Sequence, residues 1–544
     1  MKFFSRRVIF PFVIILSGLC LYVNSWKGPF IWDDEVLVRD NVYLKSPSKF
    51  KKLVTEDVGA GSNARYNFYR PLHMATFFIN YSLSGLNPAP YRITNTLLHI
   101  VTALLFYRFI ALLSGSCGAG FLAGLLFIAH PVNVEAVTYI SGRADILSAL
   151  FMLLSFTLYL KLLEKNSRLL FIGILAAYSA AFLSKENAVV FPALLLLYHF
   201  SYAKKIKPRI FLPVLAVCVF MVGIRLVVLK QIFFNLFYSG ALFKRVPGFF
   251  DAVWNYLGII IFPFQLHMER GNRFFGFTEP GVWLGIAAMA LLLAGSFALR
   301  KKNQFIFFFV WWFFIALLPS SSIFPVLAFY MAEHWLYLPA LGFFALLALG
   351  LARVYKKAKP AAIISAAAIF VFYSFSTIQY NRIWADKSMF YEYCLKFSPQ
   401  SGFLLNNLGV ACFEAARYEG AVKFCSMAIK VNPDFSLYRC NLGRAYLKTG
   451  EIEKAKYELD RAIMLYPHCE YAHLCMGEYY MRAGKIKDAI GEFKSAVRLN
   501  PDYIRGYLKL AEAYAADSDM NESRKANENA FRLNGGKITP LNFI

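Results

Sequence analysis

The apolar residues of this chain come in blocks, and the blocks stop near Tyr380. A helix that crosses a bilayer needs roughly 20 mostly apolar residues. Segments approaching that description fall at about 8–24, 93–113, 117–130, 145–163, 169–184, 188–203, 210–230, 281–299, 304–324, 335–354 and 361–379. With 58% hydrophobic residues over 544 positions, the layout predicts an all-α, polytopic membrane domain of about eleven spans over residues 1–380. Lys2, Arg6 and Arg7 precede the first apolar run as they would in an export signal. No small-residue cleavage pattern follows, so an uncleaved first span is expected.

Charge divides at the same place. Lys and Arg outnumber Asp and Glu by 35 to 14 up to residue 380, and by only 23 to 19 beyond it. The excess sits in short clusters between apolar segments, such as Lys204/Lys205/Lys207/Arg209 and Arg353/Lys356/Lys357/Lys359. Basic clusters at span ends set membrane orientation, so this pattern points to lipid and not to nucleic acid. With those clusters in the cytoplasm, the amino terminus is inside and a loop over about 25–92 is outside. The carboxyl-terminal part lies outside too. The stretch 250–266, with Phe262-Pro263-Phe264, is expected to lie in the interface.

The tail is periodic. Leu408-Gly409, Leu442-Gly443, Met476-Gly477 and Leu510-Ala511 recur every 34 residues, the period of tetratricopeptide helix pairs. Ala421, Ala455 and Ala489 keep the phase as small contacts, as do Ala428, Ala462 and Ala496. Pro399, Pro433, Pro467 and Pro501 mark the helix ends, where a missing amide donor is cheapest. A helical solenoid over residues 381–535 follows, with a short tail at 536–544. Residues 383–398, with Trp384 and Tyr391, are expected to form the helix that opens the stack. Ser523 stands where the last unit would carry Ala and no Pro follows Asn534, which marks a cap. A solenoid of this kind offers a concave surface for an acceptor or partner protein, or serves as a spacer.

Chemistry concentrates beside the spans. Trp32-Asp33-Asp34 follows the first one, and two adjacent carboxylates there can act as a general base or bind a divalent cation through oxygen. Asp33 is the first choice for the base, and Asp34 is a base, an acceptor-orienting group or a cation ligand. Further motifs are Tyr69-Arg70-Pro71-Leu72, Asn95-Thr96-Leu97-Leu98-His99, and His130-Pro131-Val132-Asn133-Val134-Glu135-Ala136-Val137. Ser141-Gly142-Arg143-Ala144-Asp145, Ser184-Lys185-Glu186 and Ala332-Glu333-His334-Trp335-Leu336-Tyr337-Leu338-Pro339 come after them. Arg143 is the leading candidate for a phosphate contact, with Lys185 second. A boundary ion pair of Arg143 with Asp145 or Glu135, and a helix-end anchor for Lys185, are the structural alternatives. Glu135, Glu333 and His334 are candidates for substrate binding. Arg70, His73, His99 and His130 come behind them, since a lone His is more often a satisfied structural group.

In this order, and with the repeats behind them, these motifs resemble the transmembrane and tetratricopeptide-repeat O-mannosyltransferase family. The resemblance covers most of the chain. It departs at His334-Trp335, where an Arg and a smaller apolar residue are expected. It implies a GT-C glycosyltransferase fold, a polyprenyl-phosphate-linked sugar donor, typically mannose, and inverting transfer to a Ser or Thr hydroxyl of a protein on the extracytoplasmic or lumenal face. The membrane is then a bacterial inner membrane or the endoplasmic reticulum. Two rivals remain: transfer of a lipid-linked sugar to a glycan or lipid, and a non-enzymatic membrane scaffold. The nine Cys residues do not establish a disulfide framework, and no nucleotide-binding Gly motif stands out.

Overall fold

A computed structural model describes residues 6–229, 241–271, 274–321 and 330–536, and every regular element among them is helical. The weakly patterned stretch at 231–280 falls partly outside the described residues. The chain divides into two compact units: residues up to Arg39 with 53–58 and 65–385, and residues 40–52 with 59–64 and 386 onward.

In the first unit each of the eleven apolar segments contains a helix. Six helices are long and apolar enough to cross a membrane: 8–25, 88–114, 140–164, 208–229, 280–299 and 359–383. A bent pair, Cys117–Ala129 with Pro131–Thr138, makes a seventh when counted as one span. The count falls below eleven because helices such as Arg168–Ser184 and Phe191–Ser201 are too short, and Ala340–Lys357 carries Arg353, Lys356 and Lys357 at its end. The chain is nonetheless a multi-pass membrane protein.

Helix starts are written locally. Asn87 accepts from Ala89 N at 3.1 Å to cap Pro88–Ser114, and Ser116 accepts from Ala119 N at 3.2 Å to cap Cys117–Ala129. These two helices approach closely because Gly120 has no side chain; a Cβ there would lie 2.5 Å from the carbonyl oxygen of Tyr107. Pro131 cannot donate to the preceding turn, so the next helix bends away by 57°. That bend sets Glu135 among buried neighbours.

The second unit is the solenoid. Helix pairs run from Gly402–Glu414 with Tyr418–Val431 to Ile504–Ala516 with Met520–Leu533. Ala421, Ala455 and Ala489 are buried, and a Cβ on Gly443 would meet Leu459 at 2.7 Å, so the small residues set the spacing within each pair. Ser523 keeps its phase because its hydroxyl donates to Ala511 O at 2.9 Å. The first repeat helix starts at Lys387, capped by Asp386. Trp384 ends the preceding membrane helix and packs at 5.9 Å from Tyr139, so the stack opens later than the sequence suggested. All nine Cys are free thiols.

Segments 40–52 and 59–64 belong to the solenoid although they lie between the first apolar helix and Arg70. Lys49 pairs with Asp502 at 2.8 Å and Asn63 donates to Glu470 at 3.1 Å, tying the segments to successive repeat junctions.

Candidate active site

The acid motif sits on a strained turn. Trp32 has φ +61°, a left-handed conformation that costs a bulky side chain on the order of 1–2 kcal/mol. A single wide helical turn, Glu35–Arg39, follows. Together they point the two acids in different directions. Asp34 is fully buried and accepts from Ser141 N at 2.8 Å, Ser141 Oγ at 2.7 Å, Ile140 N at 3.4 Å and Ile31 N at 3.5 Å. Burial pushes its carboxyl up to about 7 against those donors. Asp33 is only partly buried. Its Oδ1 accepts from the Tyr66 hydroxyl at 3.0 Å, and its backbone N–H donates to the Tyr139 hydroxyl at 3.2 Å. Desolvation raises its pKa, opposed by the two tyrosine hydroxyls and the charges of His334 and Arg70.

The sequence left a divalent cation open at this pair. Asp34 does not fit one: both of its oxygens face N–H or O–H donors, where a cation would be repelled. Among the described residues no group of three His, Cys, Asp or Glu side chains is placed to hold a metal ion.

Cationic groups stand near Asp33. Arg70, at the start of the Pro71–Ser84 helix, makes a two-point contact with Glu186 at 2.7 and 3.0 Å. Arg225 reaches the same carboxylate at 3.1 Å. Burial works to raise the Glu186 pKa, but the two guanidiniums hold it well below the usual carboxylate range. Lys185 grips both oxygens of Asp145 at 2.7 Å, and both groups are buried.

A third set closes the site. Glu135 accepts from Glu333 N at 3.0 Å and from His334 Nδ1 at 2.6 Å. Glu333 accepts from His267 N at 2.5 Å, Arg270 at 2.9 Å and the Tyr380 hydroxyl at 3.1 Å. Burial and then the neighbouring Glu135 push the Glu333 carboxyl up to about 7, while burial brings His334 down to about 4. His334 feels the charges of Asp145, Lys185, Arg70 and Asp33, so the three sets share one electrostatic neighbourhood.

Other expected site residues lie elsewhere. Arg143 is fully buried, and its guanidinium is used within the fold: on Asn95 Oδ1 at 2.6 Å, Thr76 Oγ1 at 3.0 Å and Tyr91 O at 2.9 Å, above the Phe77 ring. It joins helices, and three of its N–H groups are spent on these partners. It does not pair with Asp145 or Glu135 either, since Lys185 and His334 hold those. His99 bonds the Tyr337 hydroxyl at 2.6 Å among aromatic rings. His130 spans the helix break, with Nδ1 on Val132 N and Nε2 on Ile260 O, both at 3.1 Å. Both are buried and hydrogen-bonded within the fold. His73 is buried against Phe77, at 4.4 Å between rings, with neither ring nitrogen bonded.

Tyr66, Tyr139, Arg225 and Arg270 were not foreseen. Arg225 carried a usable signal, as the lone charge inside an otherwise apolar run. The tyrosines carried none.

Residues 71–229 match the family model for dolichyl-phosphate-mannose-protein mannosyltransferases, and residues 438–469 and 477–518 match tetratricopeptide repeat models. The mouse (Mus musculus) protein O-mannosyl-transferase TMTC3 is 25% identical over 462 residues, covering 76% of this chain and 50% of that protein. Mouse protein O-mannosyl-transferase TMTC2 is 37% identical over 147 residues, covering 26% and 18%, and human (Homo sapiens) TMTC4 is 33% identical over 168 residues, covering 28% and 23%. The chain thus spans about half the length, or less, of the curated relatives it matches. A stretch similar to the mannosyltransferase model is thus followed, in the same chain, by tetratricopeptide repeats.

Proposed function

We propose that this chain is an integral-membrane glycosyltransferase of GT-C type that moves mannose from a polyprenyl-phosphate donor to a Ser or Thr hydroxyl of a protein. The observation that carries the reading is one partly buried carboxylate, Asp33, held by the Tyr66 hydroxyl at 3.0 Å and placed within the field of Arg70. Asp33 takes the hydroxyl proton as the acceptor oxygen attacks the anomeric carbon. The bond from that carbon to the phosphate oxygen breaks, and its electron pair leaves on the phosphate. A single displacement inverts the anomeric centre.

The leaving phosphate gains charge and calls for a cationic wall. Arg70, Arg225 and Lys185 supply three positive charges against the two of Glu186 and Asp145. Electrostatic stabilisation of this kind is a large term when the groups are fixed in advance. Their ion pairs fix them. Glu135, Glu333 and His334, joined by hydrogen bonds, shape the sugar or acceptor subsite.

The basic clusters, taken as cytoplasmic, support an extracytoplasmic or lumenal face for Asp33 and for the repeats, which recruit the acceptor or a partner.

Purified protein in lipid, given labelled polyprenyl-phosphate mannose and candidate peptides, tests the reading. Transfer to peptide that disappears in Asp33→Asn is the expected result. Transfer to glycan or lipid alone, or residue 30 and residue 450 labelled from opposite sides of the membrane, would overturn it.

A further inference from the structure

Asp33 is held by a loop that carries no motif. Residues 57–68 fold back on themselves: Val58 N donates to Phe68 O at 3.0 Å, and Asp57 accepts from Tyr66 N at 3.1 Å and Phe68 N at 3.0 Å, one on each carboxylate oxygen. Asn67 stands between them with φ +58°, a left-handed conformation that Asn tolerates better than most residues. The Asp57 carboxylate therefore fixes both sides of a sharp turn. Its product is the position of one side chain: the Tyr66 hydroxyl, 3.0 Å from Asp33 Oδ1.

The terminal torsion of a carboxylate is broad, so an unbonded one settles on no single plane. A hydrogen bond on Oδ1 removes that freedom. Tyr139 adds a second restraint from below through the Asp33 backbone N–H at 3.2 Å. With the plane of the carboxylate set, Oδ2 is the oxygen presented to an incoming hydroxyl. Small errors in such placement are costly, because a general base acts only within hydrogen-bond reach of its proton.

We propose that Tyr66 is a positioning residue for Asp33, held in place by Asp57, and that it orients the carboxylate for proton abstraction without touching donor or acceptor. The inference rests on the reading of Asp33 as the base. Proton abstraction happens only on the way to the transition state, so loss of its alignment lowers turnover and leaves ground-state binding alone.

The test uses the full chain in lipid, with labelled polyprenyl-phosphate mannose and an acceptor peptide that the wild-type protein glycosylates. Tyr66→Phe keeps the ring and removes the hydroxyl. We expect kcat to fall about tenfold, with KM for donor and peptide each within about twofold of wild type. Asp57→Asn, which keeps one of the two oxygen acceptors, should lower kcat in the same direction by less. A wild-type kcat in Tyr66→Phe, or a raised KM for either substrate with kcat intact, overturns the proposal. Should Tyr66→Phe fail to yield folded protein, Asp57→Asn decides by the same split between kcat and KM. Asp33→Asn in the same assay separates the two levels. If it turns over like wild type, the base assignment falls and takes this inference with it. If it is inactive while Tyr66→Phe and Asp57→Asn are normal, only this inference falls.

Discussion

Exchanging Asp34 for Asn asks whether two neighbouring acids do different work. Asn preserves the oxygen that receives Ser141 N at 2.8 Å and Ser141 Oγ at 2.7 Å. It replaces the other oxygen with an NH₂ group that faces the N–H groups of Ile140 and Ile31 at 3.4 and 3.5 Å. Relative to the ionised carboxylate present at pH 8, the two short bonds lose their charge assistance, about 1 kcal/mol in all, and the two long contacts change from weakly attractive to repulsive, about 1–2 kcal/mol. A loss of about 2–3 kcal/mol follows at pH 8. It depends on pH with a definite sign. Burial raises the folded-state pKa of Asp34 to about 7, above the unfolded value near 4, so the fold favours the neutral carboxyl. The stability this group contributes is greatest at low pH and drains away, by about 1.4 kcal/mol per pH unit, as pH climbs from about 4 to about 7. Asn does not titrate, so the deficit of Asp34→Asn should shrink between pH 5 and pH 8. Intrinsic-fluorescence melting in lipid nanodiscs at both values reads the deficit, and mannose transfer reads the chemistry. Asp34→Asn should keep transfer within about tenfold of wild type, whereas Asp33→Asn should lose about 10²–10⁴-fold. A folded Asp34→Asn protein as inactive as Asp33→Asn, or a deficit that widens with pH, would refute the division of labour.

Arg143→Leu leaves Asn95, Thr76 and Tyr91 without their buried donor, so folded yield should drop with a cost of about 3–5 kcal/mol. Surviving protein should keep the wild-type donor KM; a raised donor KM in well-folded protein would return Arg143 to the phosphate. Glu186→Gln frees two guanidiniums from their anchor and should raise the donor KM several-fold while the peptide KM holds, as steady-state titration of each substrate would tell. In the repeats, the bond to Glu492 raises the His473 pKa, with burial opposing. The stability it adds is complete below the unfolded value near 6.5 and is lost as pH rises through the folded one. Hydrogen exchange across Glu470–Arg482 should therefore quicken between pH 6 and pH 8 beyond its intrinsic rise, and His473→Gln should abolish that excess.

Periodicity made the fold legible. The repeat phase appeared four times over in Leu408, Leu442, Met476 and Leu510, and each copy had to bury the same small faces. Apolar blocks likewise located eleven helices, because burial in lipid or protein demands the same side chains. That shared demand is also why the blocks overstated the spans. Phe191–Ser201 and Gln304–Leu317 are apolar in order to pack, and neither is long enough to cross.

The candidate site was half legible, and the boundary follows from what a motif can encode. Asp33, Arg70, Lys185, Glu135 and the pair Glu333-His334 come from five motifs and share one neighbourhood, because a charge kept beside a span needs a counter-charge and so finds other such charges. Arg143 obeyed the same rule and went the other way. Its partners are neutral oxygens, Asn95 Oδ1, Thr76 Oγ1 and Tyr91 O, which take three of its N–H groups in a fully buried place. Nothing in Ser141-Gly142-Arg143 separates an arginine that will meet a carboxylate from one that will meet carbonyl oxygens, since the partners lie some 50 to 70 residues away in the chain. The acids divide by the same logic at shorter range. Asp34 turns inward because two consecutive N–H groups, of Ile140 and Ser141, wait there, and Asp33 turns outward because its neighbour has taken them. Their adjacency, which made the pair look like one catalytic unit, forces them onto opposite sides of the turn.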